Sequence, residues 1–149
     1  MGERWHTRED SGIRLDAEGR FWHDGEPIEN ANVARAFHKG LAREADGRWV
    51  IRFGWDWAYI TLEDAPLQVR ALRAEGAGFV LALDDETEVH VAPSAFRLAE
   101  SGVLYARVRG GWEARLSRAA QAQLAPFLDD AEGRIGLRTP ERFVPLEAR

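Results

Sequence analysis

The chain has 149 residues and a mass of 16.8 kDa, room for one domain or two very small ones. Hydrophobic residues at 45% and charged residues at 30% give a globular balance that excludes a disordered chain, and the absence of cysteine excludes disulfide scaffolds, thiol nucleophiles and thiolate zinc sites. A formal net charge of −5 and a pI of about 5.4 argue against a general nucleic-acid footprint.

The first twelve residues are polar and carry no apolar segment of a secretory signal. They are expected to be frayed. Ile13 to Leu15 and Arg20 to His23 read as short strands, punctuated by Gly19 and by Asp24-Gly25. Asn30 is a good cap for an amphipathic helix over 31–44, on which Val33, Phe37 and Leu41 recur at spacing four. Gly40 weakens that helix, and Asp46-Gly47 stops it. His38 is expected to be solvated. Arg48 to Phe53 then alternates as a strand. Gly54-Trp55-Asp56 forms a turn, and Trp57 to Leu62 returns until Pro66 closes the segment.

In the second half, strands are expected at 67–72, 79–83, 88–92, 104–109 and 112–116. A second helix follows over about 117–125, capped by Ser117 and limited by Pro126. The tail from Asp129 is turn-rich, with one short strand at 142–145. The order predicts an α+β fold with mostly antiparallel pairing, in two lobes over 13–64 and 65–146. A faint echo lies between them. Trp49 to Phe53 and Trp57 can be laid on Leu104 to Val108 and Trp112 at an offset of 55 residues, a weak sign of duplication. The longest strongly apolar run, Gly78 to Leu83, is far short of a membrane span, and a cytoplasmic protein without membrane contact is expected.

Few motifs carry chemistry. There is no phosphate-binding Gly-x-x-x-x-Gly-Lys loop and no Gly-x-Ser-x-Gly elbow. The four histidines lack metal-ligand spacing, although His23 with Asp24 or Glu26 could fold into a metal site. Glu63 and Asp64 point to opposite faces of a strand, which prevents them from sharing one substrate atom and favours a structural role. Nineteen of the 20 basic residues are arginine, and they are scattered. Trp22, Trp49 and Trp112 lie on strands and read as core. Trp55-Asp56-Trp57 stands out, because an indole on a turn calls for a cover. The other half of the chain, a second subunit, or a planar ligand stacked on Trp55 with Arg52 or Arg107 on its anionic group would each supply one.

Four segments carry a family resemblance over residues 13–125. They are Gly19-Arg20-Phe21-Trp22-His23-Asp24-Gly25-Glu26-Pro27-Ile28, Asp46-Gly47-Arg48-Trp49, Ile60-Thr61-Leu62-Glu63-Asp64-Ala65-Pro66-Leu67, and Trp112-Glu113-Ala114-Arg115-Leu116-Ser117-Arg118-Ala119. In their order and spacing the chain resembles the bacterial domain-of-unknown-function 1285 family. It departs at Phe53-Gly54-Trp55-Asp56, which lacks the family's Thr-Pro, and at 135–146, which matches poorly. The resemblance implies two small α+β lobes from a duplicated core, the second pleckstrin-homology-like. It also implies a nucleotide-like ligand at their interface, a signalling role, and neither catalytic residues nor a cofactor. The resulting expectation is a non-enzymatic module binding a small anionic ligand between the halves, near Arg52, Trp55, Trp57, Glu63, Asp64, Arg107 and Arg115. The alternative is a protein-interaction or homodimeric module without a small ligand.

Overall fold

The structure is a computed structural model that describes residues 7–148. The fold is mixed α+β, mostly sheet with two helices. The chain divides between Pro66 and Leu67 into two compact units.

The first unit holds β1 (Ile13–Leu15), β2 (Phe21–His23), β3 (Glu26–Pro27), α1 (Ala31–Gly40), β4 (Leu41–Arg43), β5 (Trp49–Phe53), β6 (Asp56–Tyr59) and β7 (Thr61–Leu62). They form two small sheets, β3-β2-β1-β7 and β4-β5-β6. Asn30 caps α1 as its sequence predicts, its side-chain oxygen accepting from the Asn32 and Val33 amides. The helix ends at Gly40 rather than near residue 44. A Cβ at Gly40 would lie 2.0 Å from the Arg52 carbonyl oxygen, so the chain passes directly against β5. Leu41 then starts β4, paired with Ile51. The expected strand over 57–62 is likewise broken at Ile60. Its first part pairs with β5, and its second crosses to the other sheet and runs parallel to β1.

The apolar interior of this unit is small: Leu15, Phe21, Leu41, Val50, Ile51 and Ala65 are buried. His38, expected to be solvated, is half-buried. Its ring packs edge-on against Phe21 at 4.7 Å, beside Phe37 at 5.4 Å from the same phenyl. Trp22 and Trp49, expected in the core, are half-buried. Of the twelve residues expected to fray, 7–12 are instead tied to the unit, and 1–6 lie outside the described residues. The Tyr59 amide donates to the Arg8 carbonyl at 2.8 Å, and the buried Ser11 hydroxyl donates to the Tyr59 carbonyl at 2.6 Å.

In the second unit, β8 (Leu67–Glu75), β9 (Gly78–Leu83), β10 (Glu88–Val91), β11 (Phe96–Leu98), β12 (Leu104–Arg107) and β13 (Glu113–Leu116) precede α2 (Arg118–Leu124). After it come β14 (Leu128–Ala131), β15 (Arg134–Arg138), β16 (Phe143–Pro145) and β17 (Glu147–Ala148). A seven-stranded sheet, curled as a half-barrel, takes the order β10-β9-β8-β13-β12-β11-β17. Pairing is mostly antiparallel, with β8–β13 and β11–β17 parallel. Ser117 caps α2 by accepting from the Ala120 amide at 3.2 Å, and Ala120 and Leu124 are wholly buried. They join a core cluster with Leu67, Phe79, Leu81, Phe96 and Leu137. The tail expected to be turn-rich folds as a second sheet, β14-β15-β16. Trp112, expected in the core, is half-buried at its edge. Among the described residues, no helix is long and apolar enough to cross a membrane.

Candidate functional site

The β5–β6 hairpin positions three of the seven candidate residues. Phe53 pairs with Asp56, which leaves Gly54 and Trp55 as a two-residue turn. Gly54 has φ +59°, the left-handed value that the first central residue of a type II′ turn requires. Trp55 is therefore thrust outward, and the residue is fully exposed. Arg52 and Trp57 are directly opposite each other in the ladder, so their side chains leave from the same face. The Arg52 guanidinium donates to Glu44 at 2.9 Å.

Trp57 meets Tyr59 edge-to-face at 5.3 Å. The guanidinium of Arg8 lies 4.9 Å from the indole centroid and donates to Asp56 at 3.4 Å. A second guanidinium, from Arg48, sits 3.8 Å from the Tyr59 ring. Asp46 fixes it at 2.8 Å, and the hydrogen bond from Arg48 in turn holds the Asp46 carboxyl below the usual carboxylate range. Between residues 9–14 and Tyr59–Thr61 runs an open, mainly polar cleft of about 290 Å³. On its rim Arg14 stacks over Trp22 at 4.8 Å and donates to Glu63 at 2.9 Å. These arrangements offer π faces and guanidinium planes side by side, the groups that hold a planar, negatively charged molecule.

The remaining candidates sit elsewhere. Glu63 and the half-buried Asp64 follow β7, beside β1 rather than on the hairpin. Arg107 and Arg115 belong to the second unit. Arg107 is exposed at the end of β12, 3.8 Å from Glu147, and Arg115 on β13 pairs in register with Tyr105.

The echoed hairpins are both present, but they differ by one residue in register. Arg52 faces Trp57, whereas Arg107 faces Glu113, and the Val108 amide bonds the Trp112 carbonyl. A slip of one residue puts Trp112 on the opposite face from Arg107. The Arg52–Trp57 arrangement is thus not repeated at the echoed position.

Sequence reasoning missed Arg8 because its stacking partner Trp57 lies far along the chain, and Arg14 because it meets Trp22 only across the β1–β2 ladder and Glu63 only through the fold. Arg48 had a local signal in the Asp46-Gly47-Arg48 turn. It also missed a pair of acidic residues in the second unit, where Asp84 and Asp85 read only as a turn. The Asp84 side chain is 2% exposed, and Arg70 approaches it at 3.9 Å. Burial pushes its carboxyl up to about 6. Burial also raises Asp85, but hydrogen bonds from Thr87 and Arg109 outweigh it and hold this carboxyl below the usual range.

Neither a family model nor any curated protein matches the sequence. Two solved structures share the fold. A DUF1285 family protein from Silicibacter pomeroyi DSS-3 superposes with a TM-score of 0.74 at 23% identity, covering 93% of this chain and 81% of its own. A second, from Shewanella baltica OS155, gives 0.61 at 18% identity, covering 78% of this chain and 91% of its own.

Proposed function

We propose that the chain, whose fold is that of DUF1285 family proteins and whose sequence segments resemble the same family, is a non-enzymatic, cytoplasmic binding module for a small anionic, nucleotide-like molecule, acting in signalling. The observation that carries this reading is the cross-strand pair on the β5–β6 hairpin. It sets an exposed guanidinium, Arg52, beside the indole of Trp57 on one face of the sheet. The ring of a ligand stacks on the indole and its anionic group takes the guanidinium. We propose as well a duplicated core with a pleckstrin-homology-like second half. It is supported by a sheet packed with one amphipathic helix in each unit.

A nucleotide panel followed by tryptophan fluorescence and melting temperature tests the reading. A ligand at 100 times its Kd adds roughly 2.7 kcal/mol of stability, and Arg52→Ala with Trp57→Ala is expected to abolish that gain. Silence of the native protein at millimolar nucleotide would end the proposal.

A second reading has its own observation. Val33 is 39% exposed, Phe53 41% and Trp55 fully, and Phe53 lies 5.7 Å from Phe37 on α1. Exposed apolar side chains on a projecting hairpin turn and on the helix beside its strand suit contact with a protein or a second copy better than a concave ligand site. Sedimentation across a concentration series, with Trp55→Ser as the control, separates the two.

A further inference from the structure

We propose that Thr7 to Asp10 form a displaceable strap over the Trp57 face, with Arg8 standing in for the planar group of the ligand. This inference rests on the reading of Trp57 as a stacking residue and adds regulation to that site. The Arg8 guanidinium is a flat cation lying 4.9 Å over the Trp57 ring, and it occupies the surface that an incoming ring would need. Among the described residues it also meets the Asp56 carboxylate at 3.4 Å, and the Arg8 carbonyl accepts from the Tyr59 amide at 2.8 Å.

The two ends of the segment are held unequally. At the inner end Ser11 is 6% exposed, donates to the Tyr59 carbonyl and accepts from the Ile13 amide at 3.1 Å. The Gly12 carbonyl accepts from Asp24 at 3.0 Å. At the outer end the Arg8 and Asp56 side chains are 53% and 62% exposed, and an ion pair so open to water contributes little. An exposed guanidinium–indole contact is also weak. The inner end is therefore a fixed hinge, and among the described residues the outer end is held by contacts that a ligand of modest affinity can replace. The cleft that residues 9–14 already border gives the released strap open space.

The test uses the full chain with Arg8→Ala and, as a milder variant, Asp56→Asn. Two measurements are made: amide hydrogen exchange without ligand, and AMP affinity by calorimetry. Release of the strap is expected to speed exchange at the Tyr59 amide by about fivefold or more while Ile13 is unchanged, and to tighten AMP binding by a similar factor in Arg8→Ala. Unaltered Tyr59 exchange overturns the strap whatever AMP does. Faster exchange with equal or weaker AMP binding overturns the stand-in role and makes Arg8 part of the ligand's own site. Failure of both the native chain and the variant to bind AMP, together with faster exchange, leaves the strap standing and counts against the nucleotide reading instead.

Discussion

Burial raises each of the carboxylates it encloses, and the hydrogen bonds each accepts decide the outcome; Asp84 shows the unfavourable one. Its side chain lies in the interior at the end of β9. It accepts from the Gln68 amide at 3.2 Å, and Arg70 is no nearer than 3.9 Å. Desolvation dominates, and the group titrates at about 6 in the folded protein against 3.8 in the unfolded chain. Between those values the folded state binds more protons than the unfolded one, so this residue makes stability fall as pH rises through the window, by roughly 3 kcal/mol in all. Asp16 has the opposite sign. Burial raises it, but bonds from the Arg20 and Glu18 amides and the Trp22 indole outweigh burial. Its contribution is present above pH 3.8 and is lost as pH falls through its lower folded value. Asp84→Asn keeps an acceptor for the Gln68 amide and removes the buried charge. The variant is expected to be more stable than the native protein at pH 7.5 by about 1–2 kcal/mol and equal to it near pH 4. Urea unfolding at the two pH values measures both, and a variant less stable at pH 7.5 would refute the account. Neither aspartate was legible from sequence, since each stands in an ordinary turn pattern and takes its significance from the fold, Asp84 from burial and Asp16 from the bonds it accepts.

Elements were legible where a local signal agreed with the packing. Asn30 and Ser117 cap the helices they were expected to cap, and the β5–β6 and β12–β13 hairpins turn at their glycines. Helix α1 was overestimated because Leu41 continues the apolar spacing, while the contact that stops the helix comes from Arg52, twelve residues beyond Gly40. The same limit hid β14 and β15. Leu-Asp-Asp-Ala is polar and short, and only its pairing with Arg134–Arg138 makes it a strand. That hairpin turns through Glu132 and Gly133, with φ values of +56° and +76°, the two positive angles of a type I′ turn. Glycine adopts this conformation freely and asparagine tolerates it, whereas glutamate is strained there. Glu132→Asn is therefore expected to stabilise the second unit by about 0.5–1 kcal/mol. Thermal unfolding reads the gain, and a fall in melting temperature would show that the glutamate side chain makes a contact worth more than the strain.

At the scale of the whole molecule the two units differ in what holds them. Among the described residues, six apolar side chains are buried in the first and eighteen in the second. Guanidinium–aromatic contacts occur in both units, among them Arg14 on Trp22 and Arg48 on Tyr59 in the first and Arg97 on Tyr105 in the second, each of modest worth in water. The second packs Phe79 against Phe96 and Phe127 at 5.5 and 5.2 Å under the curl of its sheet. Candidate binding residues thus concentrate on the less buried unit, where local opening is least costly and where a strap or a ligand shifts the balance most easily. Amide exchange is expected to follow this division. The slowest amides should lie in β8, β9, β12 and β13 and report global unfolding, while β5 and β6 exchange through smaller openings. Phe79→Ala, which removes about 3–5 kcal/mol of packing, should cut protection in β8 and β9 by its full cost and leave β5 almost untouched. Equal protection of β5 and β9 in the native protein, falling together in the variant, would mean that the units open as one, and the division between a loosely and a firmly held unit would fail.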